Sequence, residues 1–178
     1  MLSIVIPDQE RYDEERNEFF KIKGQKLQLE HSLVAISKWE AKWHIPFLTD
    51  KDKTTKQILD YVRCMTLTQN VRPEVYMMLT VDNIRDINAY IADSMTATFF
   101  SNNDNRKRYK KPVTNEVIYF WMFSYDIPKE CEEWHLNRLL TLIRVFEEET
   151  KQKKPNRAEA LKRTRALNAA RRQKYSKR

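Results

Sequence analysis

The sequence predicts an α+β fold that is mainly α-helical. A small N-terminal antiparallel sheet packs on a helical bundle, and a basic helix follows at the C-terminus. Three observations lead there. Leu2, Ile4 and Ile6 alternate with Ser3 and Val5, and Phe20, Ile22, Leu27 and Leu29 alternate with polar residues, which is the period of a strand. From residue 32 onward the apolar spacing changes to threes and fours. In the stretch 113–147 that spacing is strongest: Leu136, Leu139, Leu140, Ile143 and Phe146 fall at i, i+3, i+4, i+7 and i+10, one face of a helix.

In chain order, the first strand ends at Pro7, and the charged run Asp8 to Asn17 reads as a loop. Gly24 lies between the next two alternating runs, so these read as a hairpin and complete a three-stranded meander. Such a sheet needs an apolar partner. A helix from about Ser32 to His44 supplies it, started by Ser32 or His31, with Leu33, Ile36, Trp39 (or Glu40) and Trp43 on one face and Pro46 as the stop. Thr54 or Thr55 opens a second helix to Met65, with Ile58, Leu59, Val62 and Met65 inward. Pro73 starts a short helix over 74–79. Thr80 or Asp82 caps the next, with Ile84, Ile87, Tyr90 and Ile91 inward. Met95 to Phe100 is β-prone, Asn102 to Asn105 is a turn, and Arg106 to Lys111 is basic. This region reads as a hairpin or long loop.

The central pair follows. Asn115 to Tyr125 is apolar on every face, the mark of a helix buried on all sides. Asp126 and Pro128 restart the chain into the Leu136–Phe146 helix. Glu130, Glu132 and Glu133 fall in what reads as its first turn, where carboxylates complement the helix dipole. From Arg157 to about Tyr175 the residues favour helix, but the apolar face of Leu161, Thr164 and Leu167 is thin.

One globular domain is expected over 1–150, divided into sheet (1–30) and bundle (31–150), with a basic helical tail over 151–178. A domain of this size buries about 70% of its unfolded surface and needs no staple. Charge marks the boundary. Twelve of the 33 Lys/Arg and one of the 25 Asp/Glu lie from Lys151 onward, leaving 21 basic and 24 acidic residues before it. The body is therefore near −3 and the tail +11, so only the tail should attract an anionic partner. The start lacks a basic region followed by a long apolar stretch, so no signal peptide is expected. No segment has the roughly 20 apolar residues of a membrane span.

Chemistry-bearing patterns are sparse. Gly24 is the single glycine, which excludes Gly-rich phosphate loops. Cys131 and His135 are four apart and could face one metal, but zinc needs three or four ligands. Both cysteines, Cys64 and Cys131, read as buried thiols. The Glu130–Glu133 carboxylates have no nucleophile beside them, so a dipole role outweighs acid–base catalysis. No cofactor and no metal are expected. Trp39, Trp43, Trp121 and Trp134 could stack on bases. Trp121 reads as core, whereas Trp39 and Trp43 are candidates for partial exposure to a partner. In the tail, Arg163, Arg165, Arg171, Arg172 and Lys174 are candidate contacts for nucleic acid phosphates or an acidic protein surface. A solvated charged helix is the plainer alternative.

Three stretches together resemble a known family: KLQLEHSLVAISKWEAKW at Lys26 to Trp43, IPKECEEWHLNRLLTLIRV at Ile127 to Val145, and RALNAARRQK at Arg165 to Lys174. The chain is similar to the tail assembly chaperones encoded in the tail modules of long-tailed bacteriophages and prophages. The resemblance covers most of the chain and carries no catalytic motif. It implies a non-enzymatic factor, acting in the host cytoplasm, that binds the tape-measure protein and assists polymerisation of the tail-tube subunit. Self-association and nucleic acid contact through the tail are further expectations, and a membrane partner is not. The alternative is a virion neck or connector protein, or a DNA-binding protein using its basic tail.

Overall fold

The computed structural model describes residues 1–13, 17–49, 52–100, 112–153, 161–162 and 164–168. The chain divides into two compact units, Met1–Ile143 and Arg144–Arg178. The architecture is α+β and mainly helical, as the sequence predicts.

Four short strands open the first unit: β1 (Leu2–Ile6), β2 (Gln9–Asp13), β3 (Glu18–Ile22) and β4 (Gln25–Leu29). Their pairing corrects the expected meander. β3 pairs with β2 rather than β4, and β4 pairs with β1, both antiparallel. The run expected to be a charged loop therefore holds a strand. Paired residue numbers add to 31 in both ladders, Leu2 with Leu29 and Gln9 with Ile22. The two sheets are thus one ribbon in a single register, interrupted where Pro7 comes opposite Gly24. Gly24 is required there by close approach. A Cβ at that position would run into the backbone of Ile6, Pro7 and Asp8. Its N–H donates to Asp8 Oδ1 at 2.7 Å. Alternation predicted the strands correctly but carries no information about which strand pairs with which.

Both edges of the β1–β4 ladder are engaged. Along β4, Leu67 N–H donates to Gln28 O (2.8 Å) and Glu30 N–H to Met65 O (2.9 Å). Along β1, the Asn83 amide donates to Val5 O at 3.3 Å. The inward side chains Ile4, Ile6, Leu27 and Leu29 are buried.

Helix α1 (Leu33–Trp43) starts at Ser32, whose hydroxyl accepts from Ala35 N, and stops at His44 in the left-handed conformation. Leu33, Ile36, Trp39 and Glu40 are all buried. Helix α2 (Thr55–Met65) opens on a reciprocal cap between Thr54 and Gln57. Its buried face is Tyr61, Val62 and Met65, whereas Ile58 is 44% exposed. The expected stripe is rotated because Tyr61 turns inward to meet His31. Helix α3 is Pro73–Tyr76, and α4 (Val81–Ala92) opens on a reciprocal cap between Thr80 and Asn83. Ile87 and Tyr90 are buried as expected, but Ile84 is exposed. Asn83, held by the cap and by Val5, takes the inward place. Residues 95–100 form no strand, and the turn and basic run expected over 102–111 lie outside the described residues.

The central pair is α5 (Asn115–Ser124) and α6 (Leu136–Lys153), with a 3-10 turn at Lys129–Glu133 between them. Glu130, Glu132 and Glu133 belong to that turn, so the expected first-turn dipole role is corrected: α6 has no acidic residue in its first turn. His135 stands just before α6, and its Nδ1 accepts from Asn137 N–H at 3.3 Å. Ile118, Met122, Leu136 and Leu139 are fully buried against Leu33, Ile36 and Trp39 in one core. Leu140 is only half-buried.

A polar cluster sits inside this core. The His31 and His135 rings meet edge to face, 5.1 Å apart. His31 Nδ1 is 2.5 Å from the Tyr61 hydroxyl, and His135 Nε2 is 2.9 Å from Tyr90 O. A carbonyl only accepts, so His135 carries its proton on Nε2 and leaves Nδ1 free to cap α6. The backbone joins in through Leu136 N–H to His31 O at 2.7 Å. Tyr90 hydroxyl donates to Glu30 Oε1 (2.6 Å), and the N-terminal ammonium pairs with Glu30 Oε2 (2.9 Å).

In the second unit, the described residues of 161–168 are helical and exposed, including Leu161, Lys162, Arg165 and Leu167.

Candidate partner-binding face

Helix α5 is held at both ends. Glu40, buried in α1, accepts from Phe47 N–H through Oε1 (2.6 Å) and from Asn115 N–H through Oε2 (2.8 Å). The second bond places a carboxylate on the positive end of α5, where Thr114 gives no side-chain cap. At the other end Ile127 N–H returns to Met122 O at 2.9 Å.

So fixed, α5 buries Asn115, Ile118 and Met122 only. Its opposite face corrects the expectation of burial on all sides. Phe120 and Phe123 are 66% and 65% exposed. The Tyr119 ring stacks against Phe123, with centroids 6.3 Å apart. Tyr119 hydroxyl donates to Glu132 Oε2 at 2.9 Å. Burial and that bond push the Tyr119 phenol up to about 12. The bond also anchors the acidic 3-10 turn beside the aromatic face. At the start of the helix, Glu116 is exposed, and a hydrogen bond from Thr114 holds its carboxyl below the usual range.

The residues expected to meet a partner are distributed differently. Trp39 is 0% exposed and donates to Gln57 O at 3.0 Å. It is core, which corrects its candidacy. Trp43 is half-buried and donates to Asp60 Oδ2 at 2.9 Å. Asp60 is opposed by burial but held below its usual range by bonds from Lys42 and Trp43. A hollow of about 70 Å³ lies beside Trp39, lined by Pro46, Lys53 and Gln57 among others. That is far below the roughly 300–1,000 Å³ of a small-molecule pocket. Arg165 is exposed on the 164–168 helix, while Arg163, Arg171, Arg172 and Lys174 lie outside the described residues.

Cys131 and His135 do not share a helix. Cys131 is in the 3-10 turn, and His135 is committed to Tyr90 and Asn137. Among the described residues, no three His, Cys, Asp or Glu side chains cluster as metal ligands. Burial raises the pKa of both cysteine thiols. No described helix is long and apolar enough to cross a membrane.

Sequence reasoning missed Phe120 and Phe123 as surface residues. The signal was present: Glu116, Phe120 and Phe123 share one helical face, and Glu116 marks it as solvated. No family model, curated protein or solved structure matches the chain.

Proposed function

We propose that the chain is a phage tail assembly chaperone, a non-enzymatic factor that binds the tape-measure protein and assists tail-tube assembly in the host cytoplasm. The proposal starts from the resemblance of the three stretches quoted above. The observation that carries it is the aromatic face of α5. Two neighbouring phenylalanines, both mostly exposed on a helix anchored at both ends, support the reading of this face as a protein interaction surface. A client made of amphipathic helices is the natural occupant of such a face. Exposed Lys162 and Arg165 favour a second reading, a neck, connector or DNA-binding protein that uses the tail.

Co-expression with the tape-measure protein, followed by pull-down at low and high salt, tests the proposal. The client should stay in solution, in a complex that survives salt because apolar burial drives it. Deleting Arg157 to Arg178, with its nine Lys/Arg, should leave that complex in place. A tail using about five phosphate contacts would instead bind duplex DNA with a log K against log salt slope of about −4 to −5. Tight DNA binding of that kind, with no client complex at either salt, would overturn the chaperone reading in favour of the second.

A further inference from the structure

We infer that the aromatic face of α5 takes a basic amphipathic helix, one with an apolar stripe flanked by Lys and Arg. This rests on the client-binding reading above and adds the chemistry of the client. Phe120 and Phe123 lie three apart and form the apolar centre. Glu116, four residues before Phe120, stands at one end of the same face. Glu132 lies at its side, tied through Tyr119 to the ring that stacks on Phe123. Glu130 and Glu133 are exposed in the same short turn.

Charge complementarity selects the occupant. From Asn115 to Glu133 there are five acids and one lysine, a local net charge of −4 in a chain of +8. An uncharged helix would satisfy the aromatics and leave the carboxylates unmatched. An acidic helix would meet like charges directly. A basic helix buries its stripe on Phe120 and Phe123 and sets its flanks against the rim. Because Glu116, Glu130 and Glu133 are exposed, they contribute selectivity and association rate more than affinity.

Two synthetic helical peptides of roughly 20 residues test this. Both carry one Leu/Phe stripe, flanked by Lys and Arg in one and by Glu in the other. Each is titrated against the full chain by fluorescence anisotropy. The basic peptide should bind about tenfold or more tighter at low salt, with a margin that narrows as salt rises. The Phe120→Ser/Phe123→Ser double variant, with an unchanged melt, should lose binding of both peptides. Glu130→Lys/Glu133→Lys should erase the preference and leave the fold intact. Equal binding of the two peptides, or wild-type binding by the phenylalanine variant, overturns the inference. So does self-association that the phenylalanine variant abolishes, since a second copy would then be the occupant. The tape-measure pull-down on the same variant separates the two levels. A client retained by the variant sinks this inference alone, whereas a client held by neither protein sinks the functional reading.

Discussion

Acid should loosen the core at His31. Its side chain is 2% exposed. Burial first, and the neighbouring His135 second, lower its pKa from 6.5 to about 4. The groups facing it are Tyr61 from α2, Phe47, and His135 before α6; Tyr90 from α4 packs on His135, and Glu30 and Cys64 act on Tyr61. Burial raises Tyr61, Tyr90 and Cys64, so all three stay neutral in acid. In the unfolded chain His31 titrates near 6.5, so below that pH the unfolded state gains a proton that the folded state refuses. The stabilisation is therefore complete above about pH 6.5 and is lost as pH falls toward 4. At about 1.4 kcal/mol per pH unit, the gap corresponds to roughly 3 kcal/mol. Set against a typical total of about 5–15 kcal/mol, that is a large share. Urea denaturation at several pH values between about 7.5 and 4 measures it in the wild type and in His31→Gln, which keeps a partner for Tyr61. Carboxylates contribute equally to both proteins, so the difference in slope isolates the imidazole. Parallel stability curves for the two proteins would refute the reasoning.

Leu139 is fully buried and Leu140 half-buried; Leu139→Ala should therefore cost about 2–5 kcal/mol and Leu140→Ala distinctly less, as read from urea midpoints. Gly24→Ala should destabilise by roughly 1–3 kcal/mol, because its Cβ meets backbone that has nowhere to go; an unchanged melting temperature would count against the Pro7–Gly24 crossing. Glu40→Ala leaves the Phe47 and Asn115 N–H groups without their acceptor, at about 1–3 kcal/mol each. Hydrogen exchange should then quicken at the start of α5, and equal protection in both proteins would show that Glu40 does not cap it.

Helices were the legible part of this chain. Ser32, Thr54 and Thr80 are each one of the two residues expected to start their helices, and each accepts a backbone N–H. Local chemistry decides a helix start, so a local pattern suffices to find it. Strand partners are decided across the chain, which is why the ribbon pairing was not readable from Gly24 and its neighbours. The exposure of Phe120 and Phe123 was hidden by composition. Seven apolar residues in one short helix suggest full burial, but only the neighbours decide which of them find cover. Trp39 failed as a partner contact for the same reason, since α2 closes over it. The histidine cluster had no sequence signature at all. His31 and His135 come together where Ser32 and His135 form a β-bridge, and the one spacing the sequence offered, Cys131 to His135, pointed to a metal rather than to His31.

That bridge also constrains the order of folding. It joins segments more than 100 residues apart, with the Leu136 N–H to His31 O bond beside it. The ribbon and α1 precede α6 in the order of synthesis, yet His31 gains His135 only when the start of α6 arrives. Until then a nascent chain exposes the surface that Leu136 and Leu139 will cover. Long-range closure of this kind slows folding relative to a bundle of local contacts. The core of the first unit therefore stays unfinished until the start of α6 has been made.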